Sequence, residues 1–113
     1  APRAMPFREM YFLEHSRKVR AAVRMPLAYL GGVKSLDNAE HAMGEGCDCV
    51  VMARALIHDT GLVNRFRSGE TRQSGCTSCN RCVAYIYHPA GTRCVENPPN
   101  DPALNLVLAA AAD

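Results

Sequence analysis

Hydrophobic and polar positions along this chain fall into short blocks that switch between two periods. In MYFLEHSRKVRAAVRM, residues 10–25, Phe12, Val19 and Val23 recur at helical spacing, and Arg17, Lys18, Arg20 and Arg24 largely avoid that line. The block predicts an amphipathic helix, ended at Met25 because Pro26 disfavours helical geometry in the residue before it. LAYL, residues 27–30, is an apolar run consistent with a buried strand, closed by Gly31 and Gly32. SLDNAEHAM, residues 35–43, predicts a second helix. Ser35 is a good N-cap, Asp37 suits the first-turn dipole, and Leu36, Ala39 and Met43 share a face. Gly44 and Gly46 supply the stop. CDCVVMA, residues 47–53, has Asp48 as its only charge and predicts a strand covered on both faces. DTGLVNRF, residues 59–66, predicts a further short helix with Leu62, Val63 and Phe66 on its apolar side.

The order helix, strand, helix, strand, helix implies parallel strands with crossover helices, hence an α/β class. Two parallel strands cannot cover both faces or protect both edges. The segment is therefore expected to belong to a larger sheet or barrel, or to hide its edges against a partner chain, a second copy included. The polar stretch RSGETRQSG, residues 67–75, marks a boundary between residues 1–74 and residues 75–113. Beyond it, four prolines between 89 and 102 exclude a long helix there, and ALNLVLAAAA, residues 103–112, reads as a docking helix or a frayed end.

Composition changes this picture in two ways. The chain has 113 residues, 48% of them hydrophobic, enough for one small packed domain. The formal charge of +2 gives little pull toward nucleic acid or an anionic membrane, and no apolar run approaches the roughly 20 residues of a spanning helix. The first ten residues, APRAMPFREM, lack the apolar block of a signal peptide and begin without methionine, which leads us to expect processing or excision from a longer chain.

Six cysteines complete the inventory. Cys47 and Cys49 sit in an apolar run and read as small hydrophobes. The other four form C-x2-C-x2-C-x11-C: Cys76, Cys79, Cys82 and Cys94. Clustered thiols suit ligands better than staples, so a reducing, cytoplasmic compartment is expected. Three cysteines in such close succession resemble runs that wrap iron–sulfur clusters more than the separated knuckles of a zinc ribbon. Zinc and a redox-active disulfide remain open at this point.

The two strand ends carry a second candidate site. LGGV and MAR both stand at the C-terminal end of a predicted parallel strand, where α/β proteins place ligands. Glycines there let backbone N–H groups approach a phosphate, and an arginine adds a charged fork. Gly31, Gly32, Ala53 and Arg54 are thus candidates for one phosphate cup from neighbouring turns. The bland readings are a tight turn and a surface arginine.

Residues 11–70, YFLEHSRKVRAAVRMPLAYLGGVKSLDNAEHAMGEGCDCVVMARALIHDTGLVNRFRSGE, resemble the last units of the old yellow enzyme family of FMN-dependent NAD(P)H oxidoreductases. The resemblance implies a TIM (β/α)8 barrel, incomplete in this chain, with the FMN phosphate held by Gly31 and Gly32 from one turn and Ala53 and Arg54 from the next. Ala53 stands where the family usually carries glycine, and a positive φ there would be strained. CTSCNRC followed by CVENP looks like the cluster segment of the family's iron–sulfur branch, to which trimethylamine dehydrogenase and 2,4-dienoyl-CoA reductase belong. By that resemblance Cys76, Cys79, Cys82 and Cys94 would bind a [4Fe-4S] cluster. The implied reaction is hydride transfer from NAD(P)H to FMN and on to a small-molecule substrate with an activated double bond. An N-demethylase or amine dehydrogenase of the same family is the alternative. The family's flavin-ring contacts and proton donor lie on earlier strands, so no catalytic residue is assigned, and the segment alone should not turn over.

A rival from another class is a zinc-stabilised interaction module using Arg65, Arg67, Arg72, Arg81 and Arg93, though Asp59, Glu70 and Glu96 dilute that charge. A structural fragment that binds nothing is the third reading. His15, His41, His58 and His88 have no partner at a diagnostic spacing and are read as surface or turn residues. Tyr85 and Tyr87 are expected to pack over the cysteines, and Asn80 and Asn97 to donate to cluster sulfurs or simply to form turns.

Overall fold

The computed structural model describes residues 8–97. Its elements run α1 (Leu13–Ala22), β1 (Ala28–Leu30), α2 (Leu36–Gly44), β2 (Cys49–Val51), α3 (Arg54–His58), α4 (Leu62–Arg67) and a short 3-10 helix (Arg81–Tyr85). The expected tail helix over 103–112 lies outside the described residues.

β1 and β2 pair in parallel, with Ala28 opposite Cys49, Tyr29 opposite Val50 and Leu30 opposite Val51. That is the pairing the alternating pattern implies, with α2 as the crossover. Ser35 caps α2 as expected, its side-chain oxygen accepting from the Asn38 backbone N–H. Gly46 takes φ +96°, beyond the helix stop.

The core is Met10, Tyr29, Val33, Ala42 and Cys47, with Leu13, Leu27, Ala39, Val50 and Met52 packed against it. The covered face of α2 differs from the expected one. Asn38 and Ala42 are buried there, whereas Met43 is 46% exposed. Small Ala42 lets the helix lie close to Tyr29's side of the sheet. Asn38 turns inward toward the Lys34 backbone N–H (3.5 Å) and the Glu9 carboxylate (3.4 Å).

α1 is shorter than residues 10–25. Met10 adopts φ +55° and accepts from the Leu13 N–H, so the chain enters the helix through a turn. At the other end Val23 is already extended. Arg20 holds that end, donating from Nη2 to the carbonyls of Val23 (2.7 Å) and Met25 (2.9 Å).

Among the described residues β2 is not covered on both faces. Tyr29 and Val50 face α2, while Ala28, Leu30, Cys49 and Val51 lie exposed on the opposite face. Cys49 is therefore a surface thiol rather than the packed hydrophobe its neighbours suggest. Phe12 and Val19 of α1's expected core line also stand open, along a groove with Leu27, Ala28 and Leu30. Among the described residues no helix is long and apolar enough to cross a membrane.

After α4 the chain folds back on both strand ends. Ser74 is 1% exposed; its N–H donates to the Lys34 carbonyl (2.8 Å) and its hydroxyl to the Ala55 carbonyl (2.9 Å). Arg65 and Asp59 form an ion pair across the α3–α4 turn, and the Arg65 hydrogen bonds hold the Asp59 carboxyl below the usual range.

Candidate functional site

The first recess is built at the C-terminal ends of β1 and β2. Gly31, Gly32, Val33 and Lys34 line it from one turn; Met52, Ala53, Arg54 and Ala55 line it from the other, with Tyr11 and Phe12 on its wall. The structure thus brings all four expected residues, Gly31, Gly32, Ala53 and Arg54, to one cavity. Both glycines have φ values that side chains avoid, +145° at Gly31 and +73° at Gly32. A Cβ at Gly31 would stand 2.8 Å from the Phe12 ring, and one at Gly32 2.8 Å from the Met10 backbone nitrogen. The turn is held open from behind, since the buried Tyr29 hydroxyl donates to the Gly31 carbonyl at 2.7 Å. Ala53 sits at φ −110°, ψ −75°, so alanine meets no left-handed strain there.

Two cations, Lys34 and Arg54, line this cavity, and among the described residues no carboxylate does. Glycine backbone, paired cations and the absence of lining acid suit a phosphate. The cavity measures about 240 Å³. That is below the roughly 300–1,000 Å³ of sites that enclose a whole cofactor, so it suits one end of such a ligand.

The second recess adjoins the first. Cys76, Cys79, Cys82 and Cys94 all line it, together with Arg54, Ile57, Asn80 and Glu96. The loop reaches this shape through left-handed backbone at Ser78 (φ +60°) and Asn80 (φ +66°), the residues on either side of Cys79. Asparagine tolerates that region; serine does so less readily, and its buried position holds it there. The segment is stitched to the first recess. Lys34 Nζ donates to the Cys76 carbonyl (3.3 Å), the Cys76 N–H to Ser74 Oγ (3.3 Å), and Arg54 Nη1 to Asn80 Oδ1 (2.9 Å). From the far side, Thr92 donates to the Cys82 carbonyl, and Thr77 and Arg81 both donate to Glu96.

The thiols are not equivalent. The Arg81 backbone N–H, then its guanidinium, pulls the Cys79 thiol below its ordinary value. Burial pushes Cys82 up, the neighbouring sulfurs Cys76 and Cys79 add to that, and Arg54 opposes it. Four soft sulfur donors on one recess, beside arginine, fit an iron–sulfur centre or zinc by their chemistry. Among the described residues no three thiol, imidazole or carboxylate ligands meet as a ready-made single-ion site.

The remaining candidates divide. Asn80 lines the cysteine recess while its side-chain oxygen accepts from Arg54. Asn97 donates to the His58 carbonyl instead of to a sulfur. Tyr87 does not pack over the site; it is 97% exposed, in the turn that follows the 3-10 helix. Tyr85 stacks beneath the Arg93 guanidinium, 3.7 Å from the ring centre. His15 and His41 lie exposed on their helices, as expected.

Four residues at the site escape sequence reasoning. Lys34 and Tyr11 line the cup, Ser74 ties the loop to it, and His58 Nδ1 lies 3.2 Å from Cys94 Sγ. Lys34 had a signal, its place two residues after the glycine pair at a strand end. His58 had none, being 36 positions from the sulfur it meets.

Comparison with known proteins finds relatives that are named as oxidoreductases. The chain is 49% identical over 90 residues to the 4,4'-dithiodibutanoate disulfide reductase of Rhodococcus erythropolis, covering 80% of this chain and 22% of that protein. It is 29% identical over 93 residues to the bilirubin reductase of Mediterraneibacter gnavus, covering 80% of the chain and 14% of that protein. It is 28% identical over 109 residues to the metal reductase of Desulforamulus reducens, covering 83% of the chain and 16% of that protein. The chain therefore spans about a fifth of each relative's length or less. No protein-family model and no solved structure matches it.

Proposed function

We propose that residues 8–97 are the closing units of an FMN-dependent (β/α)8 barrel reductase of the old yellow enzyme family, with a cysteine-held [4Fe-4S] centre at the rim. The observation that carries this reading is Arg54, which lines both the two-cation glycine cup and the four-thiol recess. The reductase names of the similar proteins support the redox reading over the zinc-stabilised interaction module. The open face of β1 and β2 supports a longer barrel around them.

In this reading Gly31, Gly32 and Ala53 offer main-chain N–H groups to the FMN phosphate, and Lys34 and Arg54 neutralise its charge. Cys76, Cys79, Cys82 and Cys94 hold the cluster as thiolates, with Arg81 and Arg54 favouring the ionised sulfur. Bound FMN supplies hydride chemistry and the cluster one-electron chemistry. NAD(P)H is the reductant, and the acceptor is a small molecule with an activated double bond. The Rhodococcus relative's name adds an organic disulfide as an acceptor class. That net reaction balances as NAD(P)H, a proton and the disulfide giving NAD(P)+ and two thiols. Thiolate ligands suit a reducing compartment, and in this reading the protein is cytoplasmic.

The test is composition and turnover of the intact protein, prepared without oxygen. One FMN, about four irons with sulfide, a brown colour and NAD(P)H oxidation on adding an enone or a disulfide are the expected results. Colourless protein with zinc would support the interaction module. Protein with neither metal nor flavin would support a purely structural segment.

A further inference from the structure

We infer that His58 is a positioning residue for the fourth thiol of the cysteine recess, donating its Nδ1–H to the Cys94 sulfur and so raising the ease with which the centre there takes up an electron. The inference rests on the cluster reading above. His58 Nδ1 lies 3.2 Å from Cys94 Sγ, within reach of a hydrogen bond to sulfur. A sulfur bound to iron carries no proton, so the ring nitrogen is the donor. Hydrogen bonds to cluster sulfurs are one of the means by which a protein sets the reduction potential. A donor stabilises the extra negative charge of the reduced centre, which raises the potential.

The imidazole is placed by three elements. His58 ends α3, the helix that Arg54 begins. Its carbonyl accepts from Asn97 Nδ2, three residues beyond Cys94. Gly75, the residue before Cys76, gives the ring its space: a Cβ there would lie 2.7 Å from Nε2 and 3.5 Å from Cδ2 and Cε1. Gly75 is not among the glycines with positive φ, so its backbone does not demand glycine, whereas the close ring does. The ring thus stands between the cysteine recess and an open polar cleft lined by Asp59, Arg65, Arg72 and Glu96.

The test uses intact protein prepared without oxygen, with the midpoint potential read by a spectroscopically monitored redox titration. His58→Phe is expected to lower the reduced-to-oxidised ratio at a fixed potential by up to about tenfold, or about 59 mV for one electron. Iron and sulfide contents should match wild type. Gly75→Ala is the second variant, since it keeps the imidazole and pushes it off its seat. It should shift the potential in the same direction, and in a His58→Phe background it should add nothing. A shifted potential at unchanged iron and sulfide content is what a merely structural role would not produce. If His58→Phe does not fold, Gly75→Ala decides alone. Unchanged potential at full iron loading overturns this inference and leaves the cluster reading standing. Zinc in place of iron, or no metal, overturns both.

Discussion

Arg54 Nη1 donates to Asn80 Oδ1 at 2.9 Å, joining the first residue of α3 to the left-handed turn inside the cysteine run. The same guanidinium reaches the Tyr11 hydroxyl from Nη2 at 3.4 Å, on the wall of the glycine cup. One side chain therefore supports both recesses. Arg54→Lys keeps the charge and loses the fork, and lysine is a poor substitute at such a site. In the intact protein we expect FMN affinity to fall about tenfold to a hundredfold, at about 1.5–3 kcal/mol for a charge-assisted hydrogen bond. Iron content should fall with it. Asn80→Gly, which keeps the backbone conformation but not the bond, should lower iron while sparing FMN. Flavin fluorescence titration and iron analysis check both.

Gly32→Ala should be among the most damaging single changes. It combines φ +73° with a Cβ 2.8 Å from the Met10 backbone nitrogen. The left-handed conformation alone costs roughly 1–2 kcal/mol, before the clash. Loss of bound FMN and a lower melting temperature are expected. Gly44→Ala is the control, because nothing lies within 4 Å of a Cβ there and Gly44 ends a helix. It should be neutral or stabilising by up to about 1 kcal/mol.

Ser74→Ala should destabilise the fold by about 0.5–1.5 kcal/mol, because it removes one of the two donors to the Ala55 carbonyl, which keeps the Asp59 N–H. It also removes the acceptor of the Cys76 N–H. Denaturant unfolding reads the first effect, and slower or lower iron incorporation reads the second.

The Glu45 carboxyl is lowered from 4.5 to about 2, chiefly by its hydrogen bonds to the Arg17 guanidinium, with His41 adding to it. A depressed carboxyl contributes stability above its unfolded value, lost as pH falls through the folded one. Glu45→Gln should therefore lower the melting temperature slightly at neutral pH. The gap to wild type should close between about 4.5 and about 2, and salt should shrink it throughout, as for any exposed pair. Thermal melts across pH check this.

How much of this was legible in the residues depended on how local the cause was. Ser35 capping α2, the glycine pair ending β1 and the parallel pairing are each written in a few adjacent residues. The buried face of α2 was not, because Asn38 and Ala42 are chosen by what approaches them, not by their own polarity. Tyr87 shows the same limit: its place beside the cysteines suggested packing, but it lies in the turn after the 3-10 helix and is exposed. At the site, the residue types and spacings of the glycines and cysteines pointed to positions that line two adjoining recesses. The partners that fix their geometry, Ser74 and His58, come from distant positions and leave no periodic trace.

Among the described residues one side of the β1–β2 pair is open, and that bears on how the chain is handled by itself. Leu30 at 53% exposure and Val51 at 43% form a greasy stripe with a free thiol, Cys49, beside it. An exposed apolar stripe beside an exposed thiol is open to oxidation by air in any two copies that meet there. Purification under reductant, or with Cys49→Ser, keeps that accidental crosslink from being mistaken for chemistry of the other thiols.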